Sequence, residues 1–236
     1  MAKKINVKGP IVSNSDAWIY EWFGIEATSP QKVNDALEKA NGEDIEVEIN
    51  SGGGSVFAGS EIYTALKSYK GNVIVKIVGL AASAASVIAM AGNKVMMSPT
   101  AQIMIHNVSS RAEGDYRDME HTAEVLRNAN NTIANAYRIK TGKTQEELLA
   151  LMDKETWMTA DKAKELGFVD EIMFENDSQL VASTDYSGML PPEVINKIRN
   201  TIKSPNVDEN NDSDFLLQKS KAKLKLLKLK GEMNNE

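Results

Sequence analysis

Residues 73–91 read VIVKIVGLAASAASVIAMA, and the way this stretch divides decides the fold. Its first part, Val73 to Val78, is β-branched apart from one lysine, the composition of a strand buried largely on both faces. Gly79 ends it. From Ala81 to Ala91 almost every residue is Ala, Ser, Val, Ile or Met, which predicts a helix packed inside the molecule. The same order occurs just upstream. Asp44 to Asn50 alternates through Ile45, Val47 and Ile49, giving strand periodicity. Gly52-Gly53-Gly54 follows, and Ser55 then opens a helix carrying Ile62, Ala65 and Leu66 and closed by Gly71.

Working outward, Lys4 to Val12 reads as a short strand and Trp18 to Phe23 as a further apolar segment. Ser29-Pro30 opens a helix with a capping hydroxyl and a proline in the first turn. That helix runs through Val33, Leu37 and Ala40 and stops at Asn41-Gly42. On the other side, Val95 to Met97 and Gln102 to His106 supply two short strands. Asp115 to Lys140 is one long amphipathic helix with Met119, Leu126, Ile133 and Tyr137 spaced for one face. Thr144 to Met152 is a helix with a capping box, Thr144 paired with Glu147. Thr159 to Leu166 is the last helix, and Val169 to Phe174 a closing strand. Alternating strands and helices predict an α/β domain of right-handed crossovers over residues 1–175. Residues 176–236 form a C-terminal extension: a short helix opened by Pro191-Pro192, an acidic linker from Asn206 to Asp214, and a segment of leucines and lysines from Phe215 to Lys230. That last segment reads either as a basic amphipathic helix for a partner or as a solvated end.

Composition narrows the chemistry. In 236 residues, 27 Lys+Arg against 33 Asp+Glu leave a net charge of −6, which argues against a dedicated nucleic-acid binder. There are no cysteines and only two histidines, His106 and His121, so thiol catalysis, disulfides and a multi-histidine metal site are all disfavoured. No long apolar run follows the N-terminal Met-Ala-Lys-Lys. The expectation is a cytoplasmic protein with neither secretory signal nor spanning helix, and with no metal or organic cofactor.

Three places combine unusual residues with a suitable setting. The glycine triplet between a strand and a helix lets backbone N–H groups turn toward an anion, a phosphate or an oxyanion; simple turn chemistry is the competing reading. Ser83 stands at the next strand-to-helix corner, where a hydroxyl is exposed and the helix favours negative charge; the competing reading is an N-cap. His106 ends a strand, and histidine is the usual general base near neutrality; the competing reading is a hydrogen-bonded strand-end histidine. His121 lies among charged residues and reads as solvated. Together, hydroxyl, imidazole and glycine loop at the ends of parallel strands suit nucleophilic acyl transfer. A third group to orient the imidazole is sought in Asp153-Lys154-Glu155-Thr156-Trp157, taken as a loop between the last two helices.

Residues 49–56 (INSGGGSV), 79–83 (GLAAS), 104–106 (MIH), 157–160 (WMTA) and 165–170 (ELGFVD) resemble, in order and spacing, the signature blocks of the Clp protease proteolytic subunit family, ClpP, over roughly residues 5 to 175. The resemblance implies a ClpP/crotonase-like spiral of βαβ units with a protruding handle helix, here Asp115 to Lys140, and subunits that stack as heptameric rings. It implies a serine peptidase with Ser83 as nucleophile, His106 as base, and Gly54 and Ala84 as oxyanion-hole donors. Asn107 to Gly114 corresponds to the segment that pairs with an extended peptide substrate. Two departures matter. Gly52 replaces the family's proline, and Glu155 stands where the family has its third-member aspartate, with Asp153 as the rival orienter. The shortened N-terminus and the extension are similar to the ClpP-like proteins of phages and prophages, which are associated with capsid maturation.

The functional expectation is therefore an oligomeric serine endopeptidase acting on polypeptides, with an unfoldase or capsid proteins as candidate partners and no membrane or nucleic-acid partner. The rivals are a scaffolding protein that kept the fold and lost the chemistry, and a crotonase-like acyl-CoA hydratase, in which Ser83 and His106 would have no evident role. A Ser-Lys signal peptidase is disfavoured by the lack of a spanning segment.

Overall fold

The computed structural model describes residues 2–175. The C-terminal readings, including the Pro191-Pro192 helix, the acidic linker and the Leu/Lys segment, lie outside the described residues. The described chain is a mixed α/β fold around one seven-stranded sheet. Strand β1 (Lys3–Lys8), β2 (Ile45–Ser51), β3 (Val73–Ala82), β4 (Lys94–Met97) and β7 (Glu171–Ile172) follow one another across it. All pairs along this path are parallel. Two more strands branch from the path: β5 (Gln102–Ile105) runs parallel to β3, and β6 (Thr156–Met158) runs antiparallel to β5.

The helices are α1 (Ala17–Trp22), α2 (Pro30–Ala40), α3 (Val56–Lys67), α4 (Ala84–Ala89), α5 (Tyr116–Thr141), α6 (Gln145–Asp153) and α7 (Ala160–Glu165). Their ends follow local chemistry. Ser29, Ser55, Thr144 and Thr159 each accept a backbone N–H at the start of their helix. The long helix α5 has a capping box from Asp115 and Asp118, and Gly142 closes it in the left-handed conformation. None of the described helices is long and apolar enough to cross a membrane.

Apolar alternation in the strands and the small-residue face of α4 meet in one core. Val47, Ile49, Val75, Ile77, Ala85, Ile88 and Ala89 are fully buried. Helix α4 is buried over its whole length, because its alanines let it sit close to α3. A side chain on Gly59 would bring its Cβ to 3.0 Å from the Ala84 Cβ. By contrast α5 buries only Ile133, Ala134, Ala136 and Tyr137, near its C-terminal end. Met119 and Leu126, expected on the same buried face, lie outside the core. Among the described residues, the first turns of α5 therefore bury no side chain.

Three expectations need correction. Strand β3 does not stop at Val78 but continues to Ala82, and the helix starts at Ala84 rather than Ala81. The reason is tertiary: Leu80, Ala81 and Ala82 pair with Gln102, Ile103 and Met104 of β5. Thr156 and Trp157, expected in the loop from Asp153 to Trp157, instead form β6 together with Met158, with Met158 opposite Ile103 and Thr156 opposite Ile105. The closing strand is only Glu171–Ile172, and Phe174 is exposed. The apolar segment Trp18 to Phe23 falls on α1 and its C-cap residue Phe23, and Trp18, Trp22 and Phe23 are exposed.

The glycine triplet is held by the segment after β1. The Ile11 N–H donates to the Gly53 carbonyl at 2.9 Å, and the Ser55 N–H donates to the Ile11 carbonyl at 2.8 Å. Gly54, between them, has a φ of +151°, and a Cβ there would overlap the Ile11 carbonyl oxygen. Gly52 is open: a Cβ on it meets nothing. Gly54→Ala is therefore expected to lower stability by about 2 kcal/mol or more, while Gly52→Ala stays within about 0.5 kcal/mol of the parent. Urea unfolding of the two variants, followed by circular dichroism, measures the difference.

Candidate active site

Ser83 occupies the single residue between β3 and α4. Its backbone is at φ 54°, ψ −126°, a conformation that costs a non-glycine residue roughly 1–3 kcal/mol and persists only when its surroundings hold it. They do so at both ends. The Ser83 N–H donates to the Met104 carbonyl at 2.9 Å, continuing the β3–β5 ladder by one residue. Its carbonyl accepts from the Ser86 N–H at 2.9 Å and from the Ser86 hydroxyl at 2.6 Å.

Because β5 lies beside this end of β3, the first residue after β5 falls next to the corner. That residue is His106. Its Nε2 is 2.8 Å from the Ser83 Oγ. When the Ser83 hydroxyl donates in this contact, the imidazole proton sits on Nδ1, and that N–H calls for an acceptor.

Two backbone donors border the same pocket. The N–H groups of Gly54 and Ala84 have no hydrogen-bond partner among the described residues, and both residues line the cavity with Ser83 and His106. The rest of the wall is mostly apolar: Val56, Val87, Val108, Ile133 and Tyr137. Such a cavity offers a polar corner with a hydroxyl, an imidazole and two free N–H groups, next to a slot for an apolar side chain.

The candidate carboxylates lie nearby but are differently engaged. Glu155, between α6 and β6, has a φ of 47° and accepts from the Trp157 indole N–H at 3.2 Å. Asp153 accepts from the Asn107 side-chain amide at 2.7 Å. Both are exposed, and neither is hydrogen-bonded to His106. The fold thus joins Ser83, His106, Gly54 and Ala84, and among the described residues no carboxylate is bonded to the imidazole. His121 is exposed on α5, away from this pocket's lining.

The structure gives Gly53, already marked by the glycine run, a specific role, and adds contributors that the sequence did not mark. A Cβ on Gly53 would come to 2.6 Å from the Ala82 carbonyl oxygen and 2.7 Å from the Ser83 Cβ, so only glycine lets the loop touch the corner. Asn50 sends its side-chain oxygen to the Leu80 N–H at 3.1 Å, where strand β2 has a bulge between Ile49 and Ser51. Asn107, the residue after the histidine, donates to Asp153, and its own side-chain oxygen is buried without a hydrogen-bond partner among the described residues. Ser86 and Tyr137 meet at 2.7 Å beneath the corner. The glycine run was a visible signal for Gly53. The other contacts span 30 to 51 residues of sequence and have no local pattern.

Comparison with known proteins identifies the family of the fold. The Clp protease family model matches residues 33–176. The ATP-dependent Clp protease proteolytic subunit of Bacteroides fragilis is 36% identical over 136 residues, covering 57% of this chain and 66% of its own length, so the chain spans about two thirds of that relative. Proteolytic subunit 1 of Chlamydia abortus is 32% identical over 180 residues, which are 73% of this chain and 87% of the relative. A solved variant of ClpP1 from Listeria monocytogenes superposes with a TM-score of 0.60 at 25% identity, covering 72% of this chain and 91% of its own. With most of the described body matched by the family model, and with relatives similar along most of their length, the chain belongs to the Clp protease family.

Proposed function

We propose that this chain is a serine endopeptidase, and the observation that carries the reading is the 2.8 Å contact of Ser83 Oγ with His106 Nε2 beside two unpartnered N–H groups. Ser83 Oγ attacks the scissile carbonyl while His106 Nε2 takes its proton. The resulting oxyanion accepts from the Gly54 and Ala84 N–H groups, and His106 returns the proton to the leaving amine. Water then attacks the acyl-enzyme by the same path in reverse. An apolar side chain of the substrate fits the slot formed by Val56, Val87, Val108 and Ile133.

Glu155 is our choice for the group that orients His106. Extending the β5–β6 register by one residue beyond Ile105 and Thr156 sets His106 opposite Glu155. Asp153 is already bonded to Asn107. A carboxylate leaving the exposed Trp157 indole for the Nδ1–H of His106 exchanges a weak surface bond for a charge-assisted one.

We further propose that subunits assemble as stacked rings, heptameric by the family resemblance. Helix α5, whose first turns bury no side chain among the described residues, supplies the contact between rings. The narrower role in capsid maturation rests on the resemblance of the peptidase body with its extension at residues 176–236 to the ClpP-like proteins of phages and prophages. Co-expression with a major capsid protein tests it, and no cleavage of that protein or of the extension would end it.

A fluorophosphonate probe is expected to label the assembled wild-type protein at Ser83, and Ser83→Ala is expected to lose both labelling and casein cleavage. An unlabelled wild type in intact rings would remove the peptidase reading and leave the scaffold one. For the third member, Glu155→Gln is expected to lower kcat by roughly 10²-fold or more, and Asp153→Asn by much less. Peptide hydrolysis compares them, and the reverse order would move the role to Asp153.

A further inference from the structure

The carbonyl of Ser83 and the N–H of Ala84 belong to one peptide unit. Such a unit is planar and trans, with its oxygen and its hydrogen pointing in opposite directions. Whatever grips the Ser83 oxygen therefore aims the Ala84 N–H. The Ser86 and Val87 N–H groups reach that oxygen at 2.9 Å and 3.4 Å, as the first turn of α4 requires. The Ser86 hydroxyl, at 2.6 Å, is an additional donor from a side chain.

A serine hydroxyl has one hydrogen. Ser86 commits it to the carbonyl, which can only accept. In the 2.7 Å contact between Ser86 Oγ and the Tyr137 hydroxyl, tyrosine is then the donor. The bonds form a directed series: Tyr137 O–H to Ser86 Oγ, Ser86 O–H to the Ser83 oxygen, and Ala84 N–H out into the pocket. Hydrogen bonds aligned in one sense polarise one another, so the outermost N–H is a better donor than an isolated one.

The surroundings protect this series. Ser86 is 0% exposed and Tyr137 1%, so water does not replace a lost link. The Tyr137 ring packs at 5.7 Å from Phe168, which fixes where its hydroxyl can go. Burial also pushes the phenol far above its ordinary pKa, an effect that the bond to Ser86 only partly opposes, and it stays a neutral donor near neutrality.

We infer that Ser86 and Tyr137 are positioning residues for the oxyanion hole, holding and polarising the Ser83–Ala84 peptide from behind. This rests on the reading of Ser83 as the nucleophile. It also links the buried end of α5 to the reactive corner through one phenol.

The test uses the full-length assembled protein and a fluorophosphonate probe, recording both the rate and the final extent of Ser83 labelling for wild type, Tyr137→Phe, Ser86→Ala and the double variant. Tyr137→Phe is expected to reach full labelling at a rate on the order of tenfold lower, with kcat for a fluorogenic peptide reduced and KM unchanged. The double variant is expected to be no slower than Ser86→Ala alone, because the two residues act in series. Wild-type rates in both single variants overturn the inference. So does partial labelling at the wild-type rate, which is what simple loss of folded molecules produces. Should Ser86→Ala fail to assemble, Tyr137→Phe, which keeps the ring in its packing, decides the matter. A wild type that does not label at all overturns the nucleophile reading and this inference with it, whereas labelled wild type with unaffected variants overturns this inference alone.

Discussion

The parallel pairing of Leu80–Ala82 with Gln102–Met104 is the contact on which the site depends. Strand β3 is long enough to serve two neighbours in turn, β4 along its first half and β5 along its second. Where the second pairing ends, the Ser83 N–H takes the Met104 carbonyl as the last link. Two residues further along β5's chain stands His106, and the 2.8 Å contact with Ser83 follows from that register. A slip of one residue would turn the side chains of β5 to the opposite face and separate the hydroxyl from the imidazole.

Close approach is the second constraint. The loop at Gly53 and Gly54 lies between Ile11 on one side and the Ala82–Ser83 corner on the other, with no room for a Cβ at either glycine. This is how a segment fixed by β1 delivers an N–H to a pocket built by β3 and β5. The small residues of α4 do the same at a larger scale, letting the helix reach α3 at Gly59. Size, more than charge, sets the geometry around Ser83.

Strain at Ser83 is the third element. A left-handed serine costs roughly 1–3 kcal/mol, offset here by the bond from its N–H to β5 and the donors that meet its carbonyl. A residue held this way has few other conformations open to it. That rigidity suits a group that must present a hydroxyl, and through the next peptide an N–H, to one reacting carbon.

Much of the fold was legible locally. The β-branched run at Val73, the alternation at Ile45 to Ile49, and the capping residues Ser29, Ser55, Thr144 and Thr159 act within a few residues, so periodicity and composition determine them. The candidate hydroxyl, imidazole and glycine loop were also readable, because each sits at an element end that local signals mark. The boundary of β3, the strand at Thr156–Met158 and the roles of Asn50, Asn107, Ser86 and Tyr137 were not. Each depends on a partner 22 or more residues away: β5 for Leu80, β6 for Ile105, Ser86 for Tyr137. Chain chemistry alone determined most of the strands and helices, β6 and the end of β3 excepted; only the folded arrangement decided those two and which ends meet, since hydrogen-bond partners and the room beside a glycine are properties of distance in space.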